Sequence, residues 1–190
     1  MTLTEQAQYA EARVPALEDL PKYIAAIRAG MRTNTGPLEE GKDEAVEREE
    51  EAEILEMDGE GFIDWIADQA LDGDFTYWMF DKDDNFVGMY KVVVPEERQL
   101  LPVNLEEGHA GWIVAPAHKG KGFGQFAARD AFIQLAEHGI ANVILRGDTE
   151  EGCNFIEHIF FGNAQYLRID DVDVYAVTNP YTTVEYNKYD

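Results

Sequence analysis

Cysteine is all but missing from this chain. Cys153 is the only one in 190 residues, so no intrachain disulfide can form and a reducing compartment fits. Basic residues are scarce too: 15 Lys and Arg stand against 38 Asp and Glu, a formal net charge of −23. That balance excludes the whole molecule from sequence-independent binding to a nucleic-acid backbone, which needs Lys and Arg in excess. An anionic membrane surface is disfavoured for the same reason. No apolar run approaches the roughly 18 to 20 residues that span a bilayer. The first residues, MTLTEQAQYAEAR, hold neither the basic start nor the apolar run of a signal peptide. No His and Cys cluster has metal-ligand spacing, so no metal is expected. Internal repeats and low-complexity linkers are lacking as well. Together these absences lead to the expectation of a soluble cytoplasmic protein folded as one domain over residues 1–190, a length that buries about 70% of the extended surface.

What is present suffices for a core: 45% of the residues are hydrophobic and 12% aromatic, which argues against wholesale disorder. The negative charge leaves three readings open: a cationic substrate, an acid-rich surface suited to salt or low pH, and a mimic of a polyanion. From Leu38 to Glu60, twelve of 23 positions are Asp or Glu. Val46, Ile54 and Leu55 give that run amphipathic character, so it reads as a helix with a solvated face or as an acidic rim attracting a cation.

Periodicity orders the remainder. Tyr9 to Val14 suggests an edge strand. Leu17, Leu20, Ile24 and Ile27 recur at helical spacing up to the stop signal Gly30. Phe62, Trp65, Ile66 and Ala70 form a second helical stripe closed by Gly73. Phe75–Phe80 and Phe86–Val94, joined by Asp81-Lys82-Asp83-Asp84-Asn85, form a hairpin signature. A strand over Gly108–Ala115, ended by Pro116, precedes a Gly-rich turn and a helix from about Gly122 to His138. Asn142–Arg146 reads as a buried strand, residues 150–161 as a helix, and Gln165–Arg168 and Val172–Val177 as two more strands, before a tyrosine-rich tail over 178–190. The mixture implies an α/β (α+β) domain.

The most informative stretch runs from Trp112 to Gly124 (WIVAPAHKGKGFG). A strand stops at a proline, a loop with three glycines turns, and a helix starts. Glycines let a backbone take positive φ and approach a ligand closely. The first N–H groups of a helix lack intrahelical partners and sit at its positive end, which suits a diphosphate. His118, Lys119, Lys121 and Arg129 put cations at this spot, whereas residues 99–117 contain no Lys or Arg. The pattern is not a P-loop, which requires GxxxxGK before Ser or Thr. Nor is it a dinucleotide fingerprint, since the spacing is G-x-G-x-G with no early βαβ unit before it. A plain tight turn is the structural alternative.

These residues resemble motif A of the GNAT N-acetyltransferase superfamily, Arg/Gln-x-x-Gly-x-Gly/Ala, with Lys119 at the Arg/Gln position and Gly122 and Gly124 at the two small positions. The resemblance implies a mixed, mostly antiparallel central sheet flanked by helices and splayed at the strand before the Gly-rich loop. It also implies acetyl-CoA as cosubstrate: the loop Lys119-Gly120-Lys121-Gly122-Phe123-Gly124 would hold the pyrophosphate, and the backbone of Ile113 and Val114 the pantetheine and the thioester carbonyl. A second family pattern, Asn-x-x-Ala-x-x-x-Tyr-x-x-x-Gly, is counted back from Gly162. Its slots fall on Glu151, Asn154 and His158, and all three depart from it.

The implied activity is acetyl transfer to a primary amine, on a small molecule or a protein, by direct attack. Such a reaction needs a neutral amine, a polarised carbonyl and a proton for the leaving thiolate. Glu106, Glu107 and His109 flank the central strand as candidate bases, against the reading of solvated loop acids and a sheet-facing histidine. His158 is the candidate proton donor, against a packed or surface residue. Cys153 is read as a small thiol and not a nucleophile. Trp65, Tyr77, Trp78 and Tyr90 are pocket candidates that are core residues first. No nucleic acid or membrane partner is expected, and a homodimer is compatible with this reading. The rival is a non-catalytic acidic GNAT-like interaction protein or polyanion mimic.

Overall fold

A computed structural model describes residues 4–5, 7–32, 59–71, 73–94, 108–147, 150–160, 162–169 and 172–182. Outside them fall all of the acidic run except Gly59 and Glu60, the loop carrying Glu106 and Glu107, and the last part of the tail.

Among the described residues, two antiparallel sheets make up the β structure. The first has the order β1 (Glu11–Arg13), β2 (Asp74–Phe80), β3 (Phe86–Val93), β4 (Ala110–Val114). The second has the order β5 (Asn142–Arg146), β7 (Val172–Thr178), β6 (Ala164–Ile169). The helices among the described residues are α1 (Leu20–Arg28), α2 (Gly59–Leu71), α3 (Phe123–Glu137) and α4 (Glu150–Ile159). The first helix begins later than its apolar spacing predicts, because Leu17–Asp19 is a 3-10 turn and Pro21 occupies the first turn of α1. Proline has no N–H to bond back into an earlier turn, so the regular helix starts beside it. Among the described residues no helix is long and apolar enough to cross a membrane.

Strand alternation, interrupted once by the register shift between Met79 and Phe80 in the β2–β3 ladder, assigns the two faces of the first sheet. Trp78, Phe80, Phe86 and Met89 face α1 and α2, where they meet Leu20, Tyr23, Ile27, Phe62 and Ile66. Tyr23 stacks on Trp78 with ring centroids 4.7 Å apart. Met79, Val87, Tyr90 and Val92 face the other way, into a core shared with α3 and the second sheet. The buried stripe of α3 is Ala127, Ala128, Ala131, Phe132 and Leu135. Three alanines let the helix lie close on the sheet while Phe132 and Leu135 fill the space beyond.

The sheets adjoin at β4 and β5, which share no ladder. His109 links them instead: its backbone N–H donates to the Ile144 carbonyl at 2.7 Å, and the Ile144 N–H donates to His109 Nδ1 at 2.8 Å. The family-like order of strand, Gly-rich loop and helix therefore sits where two sheets part.

Candidate active site

The site is built on the end of β4. Ala115 N–H donates to Val87 O, and Val93 N–H donates to His109 O, both at 2.9 Å, which sets the parity of the β3–β4 ladder. Odd residues of β4 bond to β3, and even residues turn their peptide groups the other way. Trp112 and Val114 thus present N–H and C=O to the open side. Ile113 does not: its carbonyl lies against Gly88, where an added Cβ would come within 2.2 Å of it. Of the two residues expected to present backbone groups, Val114 is so turned and Ile113 is spent on the ladder, with Trp112 in its place.

After a 3-10 turn over Pro116–His118, the chain alternates backbone sign. Gly120 has φ +75° and Gly122 φ +91°, with Lys121 between them at negative φ. Alternation of this kind turns successive N–H groups into one concavity, an anion nest. Gly122 is the N-cap of α3 and supplies no side-chain cap. The first-turn N–H groups of Phe123, Gly124 and Gln125 are therefore left to whatever ligand reaches them. The loop and the turn before it carry His118, Lys119 and Lys121. Lys119 Nζ lies 3.4 Å from Glu151 of α4, an exposed pair worth little for stability. His118 packs edge-on against Phe123; burial, with the Lys121 charge adding to it, holds its imidazole below the usual range. Lys119, Gly120, Lys121, Gly122, Phe123 and Gly124 follow one another around this concavity, and the chemistry of that donor set fits a diphosphate.

Both loop glycines of the motif are also set by protein neighbours. A Cβ on Gly122 would lie 2.4 Å from Thr4 Oγ1, and one on Gly124 would lie 3.2 Å from Phe155 Cε2. Phe155, on α4, also packs against Trp112, with ring centroids 5.5 Å apart. Trp112, Val114, Gly124 and Phe155 thus line one surface. Thr4, Trp112 and Phe155 are not singled out by the sequence motifs, and only the helical face of Phe155 hints at its place.

The candidate proton carriers are dispersed. His109 is 1% exposed, and burial pushes its imidazole down to about 4. With Nδ1 accepting from Ile144, the ring is neutral and its proton sits on Nε2. Glu107 and Glu106 lie outside the described residues. His158 is exposed in the last turn of α4. Glu151, Asn154 and His158 are all exposed and spaced i, i+3, i+7, so they form one helical stripe that begins at Lys119. Cys153 donates to Gly147 O at 3.3 Å, and burial pushes its thiol up, away from nucleophilic form. Trp78 and Tyr90 are fully buried. Tyr77 lines an apolar hollow of about 120 Å³ together with Ile63, Ile66, Ala70 and Phe75. Of Trp65 only its place in α2 is described. Among the described residues, no group of three His, Cys, Asp or Glu is placed to hold a metal ion.

An anion nest at a helix start, where two antiparallel sheets part, is the candidate site of this α/β domain. A family model described as the acetyltransferase (GNAT) domain matches residues 12–151. The chain belongs to that family of acetyltransferases. Comparison with curated protein sequences gives no match. Solved structures share the fold at low identity. A chimera of spermidine N-acetyltransferase SpeG from Vibrio cholerae and hSSAT is 13% identical, with TM-score 0.58, covering 90% of this chain and 96% of its own. The PaiA N-acetyltransferase of Thermoplasma acidophilum, in complex with coenzyme A, is 13% identical, with TM-score 0.56, covering 89% and 98%. RimL, a ribosomal L7/L12 alpha-N-protein acetyltransferase in complex with coenzyme A, is 9% identical, with TM-score 0.60, covering 96% and 100%.

Proposed function

We propose that the chain transfers an acetyl group from acetyl-CoA to a cationic primary amine. The observation that carries this reading is the uncapped glycine nest beside the β4 backbone, inside a GNAT acetyltransferase domain. The thioester supplies an activated acetyl group; the chain holds and orients it. N–H groups from Gly120 to Gly124 would bind the diphosphate, with Lys119 and Lys121 balancing its charge. The peptide groups of Trp112 and Val114 would hold the pantetheine amide and polarise the thioester carbonyl. The amine nitrogen attacks the carbonyl carbon, the C–S bond breaks, the nitrogen gives up a proton and the thiolate takes one.

His158 is the proposed donor of the latter proton, lying on the stripe of α4 that starts at the loop, and Glu107 the proposed base. His109 is assigned no proton transfer, because its Nδ1 is occupied and its imidazole is kept neutral by burial; its part is to join the sheets. A cationic acceptor is supported by the acid excess of the chain and by the spermidine acetyltransferases among its structural neighbours.

Isothermal titration with acetyl-CoA tests the first half of this reading, and free-thiol release over a panel of polyamines, lysine peptides and N-terminal peptides tests the second. Failure to bind at high micromolar acetyl-CoA would refute it. Binding without thiol release on any amine would reduce it to a cofactor-binding shell.

A further inference from the structure

The N-terminal segment reaches the Gly-rich loop across the whole of the sequence that forms the first sheet. Thr4 Oγ1 donates to the Lys121 carbonyl at 2.6 Å, a contact between residues 117 apart in sequence. The same hydroxyl accepts from the Ala7 N–H at 3.3 Å, and the Thr4 carbonyl accepts from the Gln8 N–H at 3.0 Å. These bonds place Thr4 at the head of the 3-10 turn Ala7–Tyr9. That turn is anchored: Ala7 is fully buried in the core shared with α3. The hydroxyl is thus held from two sides, by a docked turn and by the loop.

The effect on the loop follows from peptide geometry. Among the described residues no peptide bond is cis, and in a trans peptide the C=O of one residue and the N–H of the next point in opposite directions. A hydrogen bond that holds the Lys121 carbonyl toward Thr4 therefore turns the Gly122 N–H away from Thr4. Gly122, whose N–H belongs to this peptide, has positive φ and no side chain, so the peptide can turn about it unless something restrains it. Thr4 also occupies the space that a side chain at position 122 would need, whereas a Cβ at Gly120 would meet nothing within 4 Å. The loop is filled on one side by Thr4 and left clear on the other.

We infer that Thr4 is a positioning residue of the diphosphate site: through the Lys121 carbonyl it fixes the Gly122 N–H toward the ligand. The inference rests on the acetyl-CoA reading above. It needs no contact between Thr4 and the ligand. Its expected size is that of one oriented hydrogen bond, about 3- to 10-fold in affinity.

The test compares wild type, T4V and T4S by titration with CoA, and by inhibition with pantetheine, which lacks the diphosphate. T4V keeps the shape and loses the hydroxyl, and T4S keeps the hydroxyl. The expected result is a CoA Kd raised about 3- to 10-fold in T4V, a near wild-type value in T4S, and pantetheine inhibition unchanged in both. T4V binding CoA as wild type does, or T4S failing as T4V does, overturns the inference. So does an equal loss of CoA and pantetheine, which marks a general loosening of the fold. A variant-independent check is the Gly122 amide resonance in the wild type: it must shift when CoA is added, and an unmoved amide also overturns the inference. Wild type that binds no CoA refutes the acetyl-CoA reading itself, which keeps the two failures apart.

Discussion

Replacing His109 with Asn tests whether this histidine joins the sheets or moves protons. The imidazole is 1% exposed and accepts from Ile144 N–H through Nδ1. Burial lowers its pKa from 6.5 to about 4. In the unfolded chain the ring takes up a proton near 6.5, whereas the folded protein stays neutral until about 4. The unfolded state therefore binds more protons in between, and stability rises with pH there. The contribution of neutral His109 is complete above pH 7, declines as the pH drops through 6.5, and levels off below 4. At about 1.36 kcal/mol per pH unit, the loss across that window is about 3 kcal/mol.

Asn places an amide oxygen near the position of Nδ1, so H109N keeps an acceptor for Ile144 but removes the titration. Urea unfolding of both proteins at pH 7.5, 6.5, 5.5 and 4.5 isolates the effect as a difference of differences. At pH 7.5 H109N is less stable by about 1–3 kcal/mol, through lost ring packing. At pH 4.5 that gap closes or reverses. Parallel pH curves for the two proteins would refute the assignment of a buried, neutral, sheet-joining imidazole. H109A, which also leaves the Ile144 N–H without a partner, adds about 1–3 kcal/mol of destabilisation at every pH.

Other outcomes follow from the same contacts. Asp19 is 3% exposed and receives Arg13 through both carboxylate oxygens, with Lys22 as a further partner. Burial pushes its carboxyl up, but these bonds outweigh burial and hold it below the usual range. R13A should cost about 2–3 kcal/mol of urea stability at pH 7. In the wild type the stability that Asp19 contributes is present above the ordinary carboxylate pKa and lost as the pH falls through its lowered value, a loss R13A should shrink. G122A places a Cβ against Thr4 at a positive φ, so acetyl-CoA binding by titration should drop at least tenfold; unchanged binding would count against the nest. Tyr90 is fully buried and donates to Asp130. Y90F should lower thermal stability by about 1–2 kcal/mol, as read by calorimetry.

Much of the fold is legible along the chain. The aromatic and β-branched runs around Asp81–Asn85 become the β2–β3 hairpin, and the helix expected from about Gly122 to His138 is α3, Phe123–Glu137. Glycine spacing after Pro116 is where the anion nest forms, because two glycines around one residue can take positive φ without the steric cost that other residues meet. The start of α1 is less legible, since the apolar spacing begins at Leu17 while the proline in its first turn sets the regular helix later. Ile113 and Val114 look alike in sequence; which of them faces the ligand depends on the parity of pairing with β3. His109 looks like a base because it precedes the central strand, and its burial against Ile144 is visible only once the two sheets are assembled.

Local order came from sequence alone: the alternating and helical patterns, the glycine loop with its cations, and the acid excess that sets the charge of everything around it. These are features of neighbours in the chain, where sterics, capping and charge act over a few residues. Tertiary structure decided which peptide groups face the cleft, which histidine is neutral and buried, and which distant side chains brace the loop. Thr4 meets Lys121 across 117 residues, and Phe155 meets Gly124 from another helix. No pattern of spacing encodes such contacts, because they arise from how separately formed elements pack, and packing selects its partners by shape in three dimensions.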